Sequence, residues 1–233
     1  MSGMTTLQQI DLCCPVCATR FRSQAVVATN AFGGKRTDFH ERAAGTQPLA
    51  YLVHMCNRCG FAGAEREFTD ETEVSALLKS RVWSELAPEF GCLARQGHAR
   101  PAVPGSAKYE AAAKVATWQA GDPRVIADCY LRAAWCCVDE GDTEAERYFR
   151  RKAAWMFAEA LASYDGVSRE ERAVLTYLVG ELWRRVGDVA QAVSWFDRVP
   201  AEVEEHGSST DVAAQWVLDA ARQQRESPKE WFG

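Results

Sequence analysis

SREERAVLTYLVGELWRRVGDVAQAVSWFDRVP, residues 168–200, reads as two antiparallel helices joined at Gly187-Asp188. Ser168 followed three residues later by Glu171 has the form of a capping box at a helix start. Val174, Leu175, Leu178, Val179, Leu182, Trp183 and Val186 then recur at steps of three and four, the period of a helix with one buried face. Val189, Ala192, Val193 and Phe196 line the returning helix, which Pro200 is expected to stop. Gly180, Trp183, Gly187-Asp188, Ala192, Phe196 and Pro200 fall in order on the positions of a tetratricopeptide hairpin. The small residues Gly180 and Ala192 let its two helices approach closely.

Working outward, the same turn occurs as Gly141-Asp142, 46 residues before Gly187-Asp188, and Ala134 precedes Gly180 by the same step. Asp122-Pro123 is an N-cap followed by Pro at the first helical position. The repeat is divergent, because Glu146 and Arg150 stand where Ala192 and Phe196 predict a small and an aromatic residue. Further helices are expected from Thr69 to Leu86, ended by Ala87-Pro88, and from Ser106 to Ala120. A last one, from Thr210 to Arg225, would bury Val212, Trp216, Val217 and Ala220. Gly91 to Gly105 reads as a connector. Trp118, Trp135, Trp155, Trp183 and Trp195 are assigned mainly to the core, and Cys129, Cys136 and Cys137 to buried packing.

The first 68 residues have another character. Cys14-Pro15-Val16-Cys17 is followed, after 38 residues, by Cys56-Asn57-Arg58-Cys59-Gly60. A tetrahedral metal needs four thiolates, and each C-x-x-C turn delivers two from one tight loop. Two such knuckles on facing hairpins make a zinc ribbon, although the spacer exceeds the common 15–20 residues. Cys14, Cys17, Cys56 and Cys59 are therefore the expected ligands of one metal ion per chain. Zinc is the first choice, and iron in a rubredoxin-type centre the alternative. Cys13 has the wrong spacing and is left out. Phe21 to Thr29 is expected to be a strand, as is Pro48 to Met55, where Leu49, Tyr51, Val53 and Met55 alternate. Residues 30–47 read as a loop. Its Gly33-Gly34-Lys35 lacks the distant first Gly and the following Ser or Thr of a phosphate loop. His40-Glu41 lacks the second His of a zinc protease, so His40 and His54 are assigned to solvent or to positions behind the ligands.

The expected fold class is thus α+β and predominantly α, with a zinc-ribbon-like β module over 1–68 and an all-helical, tetratricopeptide-like domain over 69–233. Losing the knuckle cysteines would then unfold only the first part. No apolar run approaches the ~18–20 residues of a membrane helix. The start lacks the features of a signal peptide, which makes the cytoplasm the default location. Nine cysteines, an odd number with two adjacent pairs, do not suit a secreted disulfide framework. Residues 1–68 carry seven Lys/Arg against five Asp/Glu, or +2. Residues 69–233 carry 20 against 27, or −7. This balance argues against a nucleic-acid partner.

Cys14-Pro15-Val16-Cys17, Thr37-Asp38-Phe39, Pro48-Leu49-Ala50-Tyr51 and Cys56-Asn57-Arg58-Cys59-Gly60-Phe61-Ala62 occur in that order in a bacterial family, domain of unknown function 2225, which the chain resembles. Leu131-Arg132-Ala133-Ala134-Trp135, Gly141-Asp142, Gly180-Glu181-Leu182 and Gly187-Asp188 extend the likeness through the helices. Ala18 stands where a Gly usually follows the first pair, and Asn57 replaces a frequent Pro. The resemblance implies the two-part architecture and a bacterial source, and carries no activity.

A function as a non-enzymatic scaffold is expected, with the metal fixing the N-terminal fold and the helices binding a protein or peptide. A nucleic-acid-binding ribbon, through Arg20, Arg22, Lys35, Arg36, Arg42 and Arg58, is the second reading. An enzyme is the third, disfavoured because no set of catalytic roles can be filled. The partner groove is expected on the open side of the first helices, centred on Arg132, Trp135, Tyr177 and Arg184.

Overall fold

Two hairpins, each closed by a cysteine knuckle, begin the chain in the computed structural model, which describes residues 4–69, 72–90, 103–163, 167–206 and 212–232. Strand β1 (Thr6–Cys13) pairs antiparallel with β2 (Arg20–Ala28), from Cys13↔Arg20 out to Thr6↔Ala28. β2 is the strand expected from Phe21. β1 escaped the sequence reading because only Leu12 is buried, and the half-buried Leu7 and Ile10 stand three residues apart, which leaves no clear alternation. Strands β3 (His54–Met55) and β4 (Ala62–Gly63) form the second, minimal hairpin.

Pro48 to Met55 is not one strand. Leu49–Tyr51 is a 3-10 turn, held because Lys108 Nζ and the Tyr109 hydroxyl donate to the carbonyls of Ala50 and Leu49. Leu49 and Val53 go into a helical core instead of alternating across a sheet.

The first helix starts later than Thr69. Ser75 caps it, accepting from the Leu78 amide, and α1 (Ala76–Arg81) passes through a π turn (Val82–Leu86) into α2 (Ala87–Glu89). Pro88 therefore does not end the helix at residue 86. A wide turn relieves the clash of a proline ring with the carbonyl four residues back. Cys92 and most of the expected connector lie outside the described residues.

The remaining helices are α3 (Gly105–Trp118), α4 (Pro123–Glu140), α5 (Thr143–Ala162), α6 (Arg169–Val186), α7 (Val189–Phe196), α8 (Val199–His206) and α9 (Val212–Glu226). Asp122, Asp142 and Asp188 cap α4, α5 and α7 by accepting from the amides of Arg124, Ala145 and Gln191. Gly141 and Gly187 end α4 and α6 in the left-handed region, as the repeated turn demands. A Cβ on Gly180 would lie 2.7 Å from the Phe196 ring, so the template glycine is required by packing.

Three local expectations fail. Ser168 heads α6, but its hydroxyl bonds the Glu171 carboxylate, which is also held by Arg124, so no reciprocal capping box forms. α7 stops at Phe196, and Pro200 sits in the first turn of α8, where its missing N–H costs nothing. Trp155 is 68% exposed and Trp216 41%, so neither is a core residue.

Apolar packing runs across residue 68. Leu12, Phe21, Met55, Phe61 and Phe68 share one core with Leu78, Val82, Leu86 and Phe90 and with Ala111 and Val115 of α3. Leu49 and Val53 pack with Tyr109, Ala133 and Phe149 in another. Among the described residues, no helix is long and apolar enough to cross a membrane.

Candidate metal centre

The two knuckles have the same backbone. Cys14 N–H donates to Thr19 O and Ala18 N–H to Cys14 O; Cys56 N–H donates to Phe61 O and Gly60 N–H to Cys56 O. In both, the fifth residue takes a positive φ, 53° at Ala18 and 77° at Gly60. An L side chain in that region costs about 1–2 kcal/mol, so Ala18 is strained where Gly60 is not. Ala18→Gly is expected to stabilise the chain by about 0.5–1 kcal/mol, the relief of strain less the greater freedom of unfolded glycine. Gly60→Ala has the opposite sign. A Cβ there would lie 3.0 Å from Leu86 O and 3.1 Å from Phe90 Cβ, and a loss of about 1–3 kcal/mol is expected. Denaturant melts of the two variants check both signs.

The turns bring the sulfurs of Cys14, Cys17, Cys56 and Cys59 within 4.8 Å of one another. Cys14 Sγ is 3.6 Å from Cys59 Sγ and Cys17 Sγ is 3.5 Å from Cys56 Sγ. These separations exclude disulfides, whose sulfurs stand about 2.05 Å apart. They match the edge of a thiolate tetrahedron, about 3.8 Å for metal–sulfur bonds of ~2.3 Å. Cys14, Cys56 and Cys59 are buried, Cys17 partly so, in the same core as Phe21, Phe61 and Phe68, whose rings meet edge-on. Cys13 is not in the cluster.

Four thiols this close cannot all ionise by themselves. The neighbouring Cys56 sulfur, with burial, pushes Cys14 up to about 12, and contact with Cys14 and Cys56 takes Cys59 well above the usual thiol range. Hydrogen bonds from Cys14 and Cys59 hold Cys56 down at about 2. A metal would need these thiols deprotonated, and its charge would balance them. All four donors are sulfur, so the set suits a soft-to-borderline ion and fills a tetrahedron completely. His54 is 1% exposed and bonds the Ser23 hydroxyl through Nδ1, and burial lowers it to about 4. It is a buried neutral group, neither solvated nor a ligand.

The loop between the knuckles is clamped into the helices. Arg36 to His40 makes a tight turn, with Phe39 at φ 69° and its amide on Arg36 O. Asp38 Oδ2 accepts from Arg150 Nη1 at 2.5 Å and from Trp135 Nε1 at 3.0 Å, with Arg185 Nε at 3.8 Å. Burial alone would raise the Asp38 pKa, but the guanidinium groups of Arg150, Arg185 and Arg36 hold it well below the usual carboxylate range. Thr37 donates to Glu181 Oε1 at 2.6 Å and receives Arg185 Nη2 at 2.7 Å, while Tyr177 donates to Thr37 O at 2.9 Å. The C-terminal segment completes the clamp: Thr37 N–H donates to Glu230 O, and Phe232 N–H to Lys35 O. His40 is 1% exposed and stacks on Trp135 at 5.1 Å. Burial and the Arg36, Arg42 and Arg150 charges lower it to about 4, against the pull of Asp38, so it too is neutral and buried.

This clamp takes the place of the expected partner groove. Trp135 and Tyr177 grip the chain's own loop, and Tyr177 is fully buried. Arg184 bonds Glu181 and Glu230. Arg132 lies elsewhere, paired with Asp128 at 2.9 Å, in a cleft of about 340 Å³ between β4 and helices α3 and α4. The four residues do not line one open face. In a regular repeat array the inner sides of the first helices face solvent; here residues 35–41 and 229–232 fill them. Arg150, the misfit in the repeat, is the residue that receives Asp38, with Glu146 on its Nε at 2.9 Å.

No curated protein and no solved structure matches the chain. A family model does: that of the uncharacterized proteins conserved in bacteria, DUF2225, matches residues 7–227, from the first strand through both knuckles to the end of α9, and the chain belongs to that family.

Proposed function

We propose that the chain is a non-enzymatic scaffold and binding protein whose four-cysteine centre holds one zinc ion in a structural role. The observation that carries this reading is the convergence of four sulfurs, and nothing but sulfurs, at tetrahedral spacing in a core shared with Phe21, Phe61 and Phe68. Such a set leaves no ligand position open for substrate, unlike the three-ligand centres of zinc enzymes. The zinc would tie residues 14–17 to 56–59 and so close the loop that carries Thr37 and Asp38 into the helices. Cys14, Cys17, Cys56 and Cys59 hold the ion; Thr37, Asp38, Arg150, Glu181 and Arg185 transmit its hold to the helical array.

Elemental analysis of protein purified without added metal is expected to give one equivalent of zinc per chain and a colourless solution. Iron in the same tetrahedron would absorb in the visible range, since zinc thiolates do not, and would overturn the choice of zinc while keeping the site. A folded chain carrying no metal would overturn the reading itself.

A further inference from the structure

α5 presents a second feature that neither the metal nor the clamp uses. With 3.6 residues per turn, Arg147, Tyr148, Arg151, Lys152 and Trp155 share one exposed arc of the helix, with Trp155 near its centre. Trp155 is 68% exposed and Tyr148 46%. Lys152 Nζ lies over the Tyr148 ring at 5.6 Å. Among the described residues, Arg147, Arg151 and Lys152 form no salt bridge, whereas Arg150 one step round the helix is wholly engaged inside. Three cations without a salt bridge among the described residues, around two exposed aromatic rings, thus stand on a chain of net charge −5.

We infer that this face of α5 is a docking surface for an acidic segment of another protein. Exposed tryptophan, tyrosine and arginine are the residues that dominate protein interfaces, because each offers large contact area or fixed donors at small entropic cost. The cations add attraction for carboxylates and set the sign of the partner. The surface is also bounded. Glu144 and Glu159 lie on the same arc beyond the two ends of the cationic stretch, which spans about 12 Å from Arg147 to Trp155 at 1.5 Å per residue. That length suits two or three carboxylates with an apolar side chain between them to cover Trp155. A phosphodiester strand would run on into the flanking glutamates, so nucleic acid is the disfavoured occupant. The inference rests on the chain being a binding protein and not on the metal.

The test uses the full-length, metal-loaded chain and a fluorescein-labelled synthetic peptide of alternating Glu and Leu, read by fluorescence anisotropy. Binding is expected in the range of about 10–100 µM, weakening as salt is raised. The exposed-face variants Arg147→Glu with Arg151→Glu, and separately Trp155→Ala, should each weaken it at least about tenfold. Unchanged far-UV circular dichroism is expected in both, because none of these side chains is in the core. Peptide binding unaltered by the two variants would overturn this surface while leaving the binding-protein reading standing. Absent peptide binding, or tighter binding of labelled oligouridylate lost in the same variants, would overturn the acidic-protein partner.

Discussion

Replacing Cys14 and Cys56 together by Ser is expected to abolish the cooperative folding transition of the whole chain, not of its first 68 residues alone. A structural zinc ion contributes about 10–16 kcal/mol to the fold it closes. A domain of this kind has only about 5–15 kcal/mol of net stability, so no other single interaction compensates. The loss cannot stay local. Leu12, Phe21 and Phe68 share a core with α1, the π turn and α3, and release of the loop takes Asp38 from Arg150 and Arg185, leaving Glu146 and Glu181 as their partners within the helices. Circular dichroism should show a large loss of helix signal, and amide exchange should rise in residues 35–41 and along the facing sides of α4, α5 and α6. Helices that melt as in the unaltered chain would show that the metal module folds apart from them.

The second large effect lies in the clamp. Asp38 and Arg150 both have side chains with no exposure, at 2.5 Å from one another. Removing one partner of a buried pair leaves an uncompensated charge and costs about 3–5 kcal/mol. Asp38→Ala and Arg150→Met are each expected near the lower end of that range, because Glu146 stays on Arg150 and Arg185 and Arg36 stay beside Asp38. The double variant should be less destabilised than the sum of the two by about 2 kcal/mol, because it removes both charges together. Additive losses in urea melts would mean that the two side chains do not act as a pair. Arg185 and Arg36, at 3.8 Å on either side of Asp38, limit how far the double variant can recover.

Features set by local sequence were readable before the structure. The two knuckles follow from cysteine spacing, the cap of α4 from Asp122-Pro123, and the α4–α5 and α6–α7 turns from Gly141-Asp142 and Gly187-Asp188. The close approach at Gly180 followed from the repeat template. What could not be read depends on long-range contact. Residues 35–41 have no period and few apolar side chains, so nothing in them announced burial in the helical array. The available signal was a misfit: Arg150 on a helix position that asks for an aromatic ring. Buried charge in one segment requires an opposite charge from another, and the structure supplies it from Asp38. The alternation from Leu49 to Met55 misled for a related reason, since helix α3 supplies donors that turn the backbone at Leu49 and Ala50.

Cys14, Cys17, Cys56 and Cys59 are expected to bind one ion together. X-ray absorption at the zinc edge, on protein purified without added metal, measures this most directly. Four sulfur neighbours at about 2.3 Å and no lighter ligand are predicted. A shell containing nitrogen or oxygen, or fewer than four sulfurs, would contradict it.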